Sequence, residues 1–197
     1  MSLKYAVLGV LDARSMTGYE LSQFLDGSTG WLWAANHSQI YPLLGRMVEQ
    51  GLVVGVDDAR GEQRRTTYTL TDAGREDLLG WVAGIHPPGR DNDAFALQAV
   101  FLDMVPGSSA AQVLREYAHR QRAAADLARQ HADQLAAGET PLIRERLQVR
   151  PTTEHEAITR LKATVFAGQA AVATARAEWA EAMLVALAEV GRLHMDA

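Results

Sequence analysis

Ser38-Gln39-Ile40-Tyr41-Pro42-Leu43-Leu44-Gly45-Arg46-Met47-Val48-Glu49-Gln50-Gly51-Leu52-Val53-Val54-Gly55-Val56 is the stretch on which the fold turns. Ile40, Leu43, Leu44, Met47 and Val48 fall at i, i+3, i+4, i+7 and i+8, the spacing that collects apolar side chains on one side of a helix. Gly51 supplies its stop. Leu52 to Val56 is too short and too β-branched for another helix and reads as a strand. A second strand follows at 65–70, where Thr67 and Thr69 alternate with Tyr68 and Leu70. The segment between them, Asp57 to Arg64, is polar with Gly61 at its tip, the composition of an exposed hairpin loop.

On the N-terminal side, Leu3, Val7, Leu8 and Leu11 predict a first helix over 3–13, broken by Arg14-Ser15-Met16. Thr17 is placed to cap a second helix carrying Leu21, Phe24 and Leu25, which ends near Asp26-Gly27. A loop containing Trp31 and Trp33 leads to about Asn36. On the C-terminal side, Thr71-Asp72 caps a fourth helix through Leu78, Leu79, Trp81 and Val82, closed by Pro87-Pro88-Gly89. Three helices followed by a two-stranded β wing make a winged helix-turn-helix, here expected to occupy residues 1–86.

The remainder, 90–197, reads as all-α. Phe95, Leu97, Val100, Phe101 and Leu102 predict a helix within 91–105, and Pro106-Gly107 precedes a second helix over 108–137. Residues 138–151 read as a loop with at most one short turn. The last helix, 153–193, is about 60 Å long at 1.5 Å per residue, too long for a compact domain to bury alone. Its apolar seam steps by threes and fours through Ile158, Leu161, Val165, Gly168, Val172, Ala175 and Trp179, slips by a stutter, and resumes through Met183, Ala186, Val190 and Leu193. Such a seam calls for a partner helix, and the expected dimer contacts are Ile158, Leu161, Val165, Val172, Trp179, Met183, Leu187 and Val190. The fold class expected is mainly α: a winged helix-turn-helix domain plus a helical dimerisation domain with long coiled-coil-like helices.

Composition removes most competing chemistry. The 197 residues include no cysteine, which excludes disulfides, thiolate zinc sites, iron–sulfur clusters and a cysteine nucleophile. The six histidines contain no i, i+4 pair and no HExxH, and His155-Glu156 is half a zincin motif without the rest, so no metal site is expected. Without GxSxG, a phosphate loop or GxGxxG, neither an enzyme nor a cofactor is expected. No run approaches the roughly 20 apolar residues of a membrane span, and Met1 leads directly into an amphipathic pattern, so a cytoplasmic protein without a membrane partner is expected. The net charge of −5 argues against a non-specific nucleic-acid coat while leaving room for a local DNA-binding face.

Five ordered motifs carry a family resemblance: Tyr5-Ala6-Val7-Leu8-Gly9-Val10-Leu11, Thr17-Gly18-Tyr19-Glu20-Leu21, Gln39-Ile40-Tyr41-Pro42-Leu43-Leu44, Glu49-Gln50-Gly51-Leu52-Val53, and Arg64-Arg65-Thr66-Thr67-Tyr68-Thr69-Leu70-Thr71-Asp72-Ala73-Gly74. Over residues 3–82 the chain resembles the PadR family of transcriptional regulators, and beyond Trp81 its architecture is similar to the longer subgroup with a helical C-terminal dimerisation domain. The resemblance implies a homodimeric regulator, usually a repressor, bound to double-stranded DNA at an inverted-repeat operator. In some members a small, often aromatic, effector releases it.

Stepping 100° per residue around the third helix sets Ser38, Pro42, Gly45, Arg46 and Glu49 opposite the apolar side, with Gln39 and Tyr41 flanking. Small residues suit an ordinary solvated face, and they also let a helix backbone approach base edges in a major groove. By chemistry Gln39 suits adenine and Arg46 guanine, while Ser38, Tyr41 and Lys4 suit phosphate oxygens. In the wing, Arg64 and Arg65 are expected at a phosphate strand or minor groove, although residues 57–65 balance three acids against three arginines. Tyr19 and Thr67, within the second and last motifs, complete the expected DNA-facing set, and Tyr68 is expected in the core. Trp81, Phe95, Phe101 and Trp179 are candidates for an effector cavity, with plain core packing as the alternative reading. The competing function is a winged helix kept as a protein-interaction module without specific DNA binding.

Overall fold

A computed structural model describes residues 2–28, 37–58, 65–86 and 93–195. The N-terminal elements are α1 (Ser2–Leu11), β1 (Met16–Thr17), α2 (Gly18–Ser28), α3 (His37–Glu49), β2 (Val53–Asp58), β3 (Arg65–Leu70) and α4 (Asp72–Ala83). Among the described residues the sheet has three antiparallel strands in the order β1-β3-β2. The sequence reading had two, because a strand of two residues shows no alternation. β1 is held by Met16 opposite Tyr68 and Thr17 opposite Thr67, with Ser15 Oγ 2.7 Å from Thr69 Oγ1.

One core ties these elements together. Val7, Leu8 and Leu11 of α1, Met16 of β1, Leu21 and Leu25 of α2, Ile40, Leu44 and Met47 of α3, Val53 and Leu78 are all buried, with Tyr68 partly so. Each such aliphatic side chain contributes about 1.5–3 kcal/mol on leaving water. The apolar face of α3 is narrower than its spacing suggested. Val48 lies about 80° round the helix from Ile40 and is exposed.

Helix ends follow the motifs. Thr17 and Glu20 form a reciprocal capping box: the Thr17 N–H donates to Glu20 Oε2 at 2.7 Å, and the Glu20 N–H donates to Thr17 Oγ1 at 3.2 Å. At the end of α3 the Leu52 N–H donates to Met47 O and the Gly51 N–H to Val48 O, both at 2.9 Å. Thr71 Oγ1 accepts the Gly74 N–H at 3.0 Å and donates to Gly51 O at 2.7 Å. That closes α4 against the end of α3. Gly74 is required sterically, since a β-carbon there would stand 2.0 Å from Leu52 O.

The C-terminal elements are α5 (Ala94–Val100), a 3-10 turn (Leu102–Met104), α6 (Gly107–Ala136), α7 (Pro141–Gln148) and α8 (Thr152–Met195). The chain forms two compact units. The first is Met1–Pro87 with Pro141–Pro151, and the second is Pro88–Thr140 with Thr152–Ala197. Residues 141–151, read from sequence as a loop with at most one short turn, thus hold a two-turn helix that folds with the N-terminal segment. Ile143 and Leu142 give it an apolar face with a core to enter.

Within the second unit, α6 and α8 pack antiparallel. The buried seam is nearly all alanine: Ala118, Ala125, Ala128 and Ala132 on α6 face Ala170, Ala173, Ala177 and Ala180 on α8. Small side chains at coiled-coil spacing let two backbones approach closely. Arg122 grips Glu181 through two hydrogen bonds of 2.8 and 2.7 Å, and Arg129 Nη2 donates to Thr174 Oγ1 at 2.8 Å. Asp93 caps α5 by accepting the Phe95 and Ala96 N–H groups at 3.1 and 3.0 Å. The helix expected through Val105 breaks at Phe101, whose backbone (φ −108°, ψ 13°) starts the 3-10 turn.

Candidate nucleic-acid interface

α3 buries Ile40, Leu44 and Met47 and turns Gln39, Tyr41, Pro42, Gly45, Arg46 and Glu49 to solvent. Pro42 is the sixth residue of α3, past the first turn whose N–H groups lack an intrahelical acceptor, and it forfeits one helical hydrogen bond. The Gln39 and Arg46 side chains border a groove of 560 Å³ with Leu3, Lys4, Tyr5, Pro42, Leu43 and Gln50. This groove lies beside a helix face of small residues and two planar, bidentate hydrogen-bonding groups. That is the chemistry base edges require.

The start of α2 supports this face. A β-carbon on Gly18 would meet the Tyr41 ring at 2.7 Å, so the glycine makes room for the ring beside the capping box. Tyr19 is largely exposed, and its hydroxyl accepts a hydrogen bond from Gln23 Nε2 at 2.7 Å. The Thr17 backbone and hydroxyl hold the Glu20 carboxyl below the usual carboxylate range, with Arg14 and Arg65 adding to the effect. In the wing, Arg65 is exposed, while Thr67 is half-buried on the central strand and Thr66 Oγ1 donates to Asp57 at 2.7 Å. Arg64 and the Ser38 side chain lie outside the described residues. Lys4 is engaged: its ammonium is 2.6 Å from Asp77 Oδ2 and 4.7 Å from the Tyr5 ring centre. The sequence offered no sign of this pairing, because Asp77 is 73 positions away on α4.

The four aromatics singled out from sequence separate. In the first unit Trp81 stacks on Tyr5 (4.5 Å, 10°) and on His86 (5.1 Å, 17°), whose Nε2 donates to Trp81 O at 2.7 Å. In the second unit Phe95 stacks on Tyr117 at 3.4 Å, and Trp179 meets both edge-on at 5.4 and 6.3 Å. Phe101 is more than half exposed and belongs to neither group. The second unit also holds an apolar cleft of 880 Å³, lined by Val100, Leu102, Val105, Leu114, Met183 and Leu187 among others. Sequence reasoning missed both Tyr117 and this cleft, which takes its walls from α5, α6 and α8 together.

Among the described residues no cluster of histidines and carboxylates is placed to hold a metal ion, and no helix is long and apolar enough to cross a membrane. A three-stranded winged helix with an exposed, amide- and guanidinium-bearing third helix defines a DNA-binding transcriptional regulator. Residues 7–79 match the transcriptional regulator PadR-like family. The negative transcriptional regulator PadR of Bacillus subtilis is 31% identical over 123 residues, covering 61% of this chain and 68% of that protein. The chain belongs to the PadR-like family, whose members are regulators and not enzymes. Its fold matches the crystal structure of Bacillus subtilis PadR in complex with operator DNA (TM-score 0.66, 23% identity, 95% of this chain and 99% of that one). It also matches the same protein in complex with p-coumaric acid (TM-score 0.64, 24% identity, the same coverage).

Proposed function

We propose that the protein is a homodimeric, cytoplasmic repressor that inserts α3 of each protomer into successive major grooves of an inverted repeat and is released by a small aromatic acid. The observation that carries the reading is the solvent face of α3, where Gln39 and Arg46 project beside Gly45 and Pro42. Gln39 and Arg46 read base edges. Tyr19, Ser38, Tyr41 and the wing residues Arg64, Arg65 and Thr67 hold the backbone. Lys4 is committed to Asp77, and the proposed interface does without it.

Dimerisation is supported by the second unit. On α8, Leu161, Val165 and Val172 are 71%, 51% and 51% exposed, and they lie about 100–140° round the helix from the alanines that meet α6. Trp179 is partly exposed on the same stripe, and Ile158 is half-buried. Met183 and Leu187 turn inward to pack beside Leu114 and Leu102, which narrows the stripe at its C-terminal end. The Val190 side chain lies outside the described residues. Leu97, Val100, Phe101 and Met104 add a second exposed apolar face. A stripe of this length is covered most economically by a second copy.

Effector release is supported by the Bacillus subtilis neighbour solved with p-coumaric acid, together with the aromatic groups around Trp81 and Trp179. The deciding experiment is a mobility shift of the DNA flanking the protein's own gene, with salt titrated. Specific binding that resists competitor DNA, and weakens linearly in log–log against salt, is the expected result. No specific shift at any salt would overturn the reading in favour of a protein-interaction module.

A further inference from the structure

α7 lies in the chain between the two long helices of the second unit, joined to α6 by residues 137–140 and to α8 by residues 149–151, yet it folds with the first unit. Ile143 is buried and Leu142 packs on the core shared by α1 and α3. Polar contacts add a lock. At the end of α1 the Ala13 N–H donates to Val10 O, which leaves Gly9 O without the usual helical donor. Arg146 Nη2 supplies it at 2.9 Å. The same guanidinium stands 3.4 Å from Asp12 Oδ2, and Arg75 is 2.8 Å from Asp12 Oδ1. Arg14 Nη1 donates to Glu145 Oε1 at 2.8 Å. A cation from α7 therefore caps the negative end of α1, the favourable arrangement for a helix C-terminus.

α1 and α3 share one core and form the two sides of the groove that holds Gln39 and Arg46. The position of α3 thus follows that of α1, and α1 is fastened to a helix whose two ends continue directly into α6 and α8. We propose that α7 sets the half-site spacing this protein accepts in its operator, with Arg146 as the positioning residue. The inference rests on the dimeric, inverted-repeat reading above. A reading unit joined to a dimer domain by one backbone segment suits several half-site spacings; on this proposal the two further short covalent connections through α7, residues 137–140 and 149–151, narrow that range. Simultaneous engagement of two half-sites then succeeds only at the matched separation.

The test uses the full chain and the palindrome it selects from a randomised duplex library. Affinity is measured for that palindrome, for a single half-site, and for palindromes whose centre is lengthened by one base pair at a time. The parent chain is expected to lose about tenfold per added base pair, because each one rotates and displaces the second half-site. A chain with Gly-Ser insertions after Gly138 and after Arg150 keeps every α7 contact available. It is expected to hold its half-site affinity and to lose less than about threefold per added base pair. Arg146→Ala should flatten the spacing preference in the same way, and Arg146→Lys, which can still donate to Gly9 O, should restore it. Parallel losses at all spacings in Arg146→Ala, or an unchanged spacing preference in the insertion chain, would overturn the inference. If Arg146→Ala fails to fold, the insertion chain decides alone. If the parent selects only isolated half-sites, the dimeric reading itself falls and takes this inference with it.

Discussion

Gly74 stands so close to the carbonyl oxygen of Leu52 that a β-carbon at position 74 would lie 2.0 Å from it, and the Thr71 N–H donates to that same oxygen at 3.2 Å. The backbone carbonyl has nowhere to move without breaking the join between α3, β2 and α4. Gly74→Ala is expected to destabilise the first unit by about 1–3 kcal/mol or more, read by thermal and denaturant unfolding. Gly18→Ala, whose tight contact is with the exposed ring of Tyr41 and which meets Leu44 Cδ1 at an ordinary 3.4 Å, should cost under about 1 kcal/mol. Equal melting of the two variants would refute the steric account.

Base reading separates from backbone holding by its sequence dependence. Gln39→Ala and Arg46→Ala are each expected to cost about 1–3 kcal/mol on operator DNA and to relax preference at one position of each half-site. Arg65→Ala should weaken all sequences alike and lower the salt slope by about one unit. Selection from a randomised library distinguishes these results. Unchanged preferences in both α3 variants would move base reading to another element.

The exposed stripe on α8 predicts that a charge at its centre prevents association. Val172→Asp is expected to give a folded monomer in analytical ultracentrifugation at micromolar concentration and to abolish binding to paired half-sites. Ala173→Asp, directed into the α6–α8 seam, should instead unfold the helical pair, because it buries a carboxylate among alanines. A Val172→Asp protein that remains dimeric would place the interface elsewhere.

His131 packs edge-on against Phe166, with ring centres 4.4 Å apart, and burial holds its imidazole below the ordinary value of 6.5. The folded chain therefore takes up this proton less readily than the unfolded chain. Stability is full above about pH 6.5 and falls as the pH drops through and below that value. His131→Leu should flatten this part of the stability–pH curve, measured by melting at a series of pH values. A curve with the same slope in the variant would exclude His131 as its source.

p-Coumarate is the first compound to test as an effector. Release from the operator is expected in parallel with quenching of tryptophan fluorescence. Trp81→Phe and Trp179→Phe identify which aromatic group the ligand meets. A thousandfold loss of operator affinity requires about 4 kcal/mol of differential ligand affinity between binding and non-binding forms. No release and no quenching by p-coumarate or a panel of related planar acids would leave control to expression level or a protein partner.

The winged helix was legible because its signals are local. The i, i+3, i+4 pattern of α3, the threonine caps at 17 and 71 and the alternation of 65–70 each concern residues within a few positions of one another. What could not be read depends on partners far along the chain. β1 exists because Thr67 and Tyr68 lie beside it; Lys4 is engaged because Asp77 faces it; α7 is a helix because a core built by residues 7–78 receives Leu142. The α8 seam was read from apolar spacing, yet the face that meets α6 carries alanines, which a hydrophobicity pattern ranks below leucine and valine. The same limit applied to the candidate interface. The exposed residues of α3 followed from helical geometry, whereas the grouping of Phe95 with Tyr117 and Trp179 required three helices to be placed.

Gly9 and the arginine that caps it are 137 residues apart in the chain. At synthesis rates of roughly 5–20 residues per second, Gly9 O waits about 7 to 27 s for its donor after leaving the peptidyl-transferase centre. The DNA-reading unit cannot be finished as a nascent N-terminal domain. It is completed only after the residues of α6 and α7 have been made. Completion of the first unit is thereby tied to synthesis of the long helices that flank α7 in the chain.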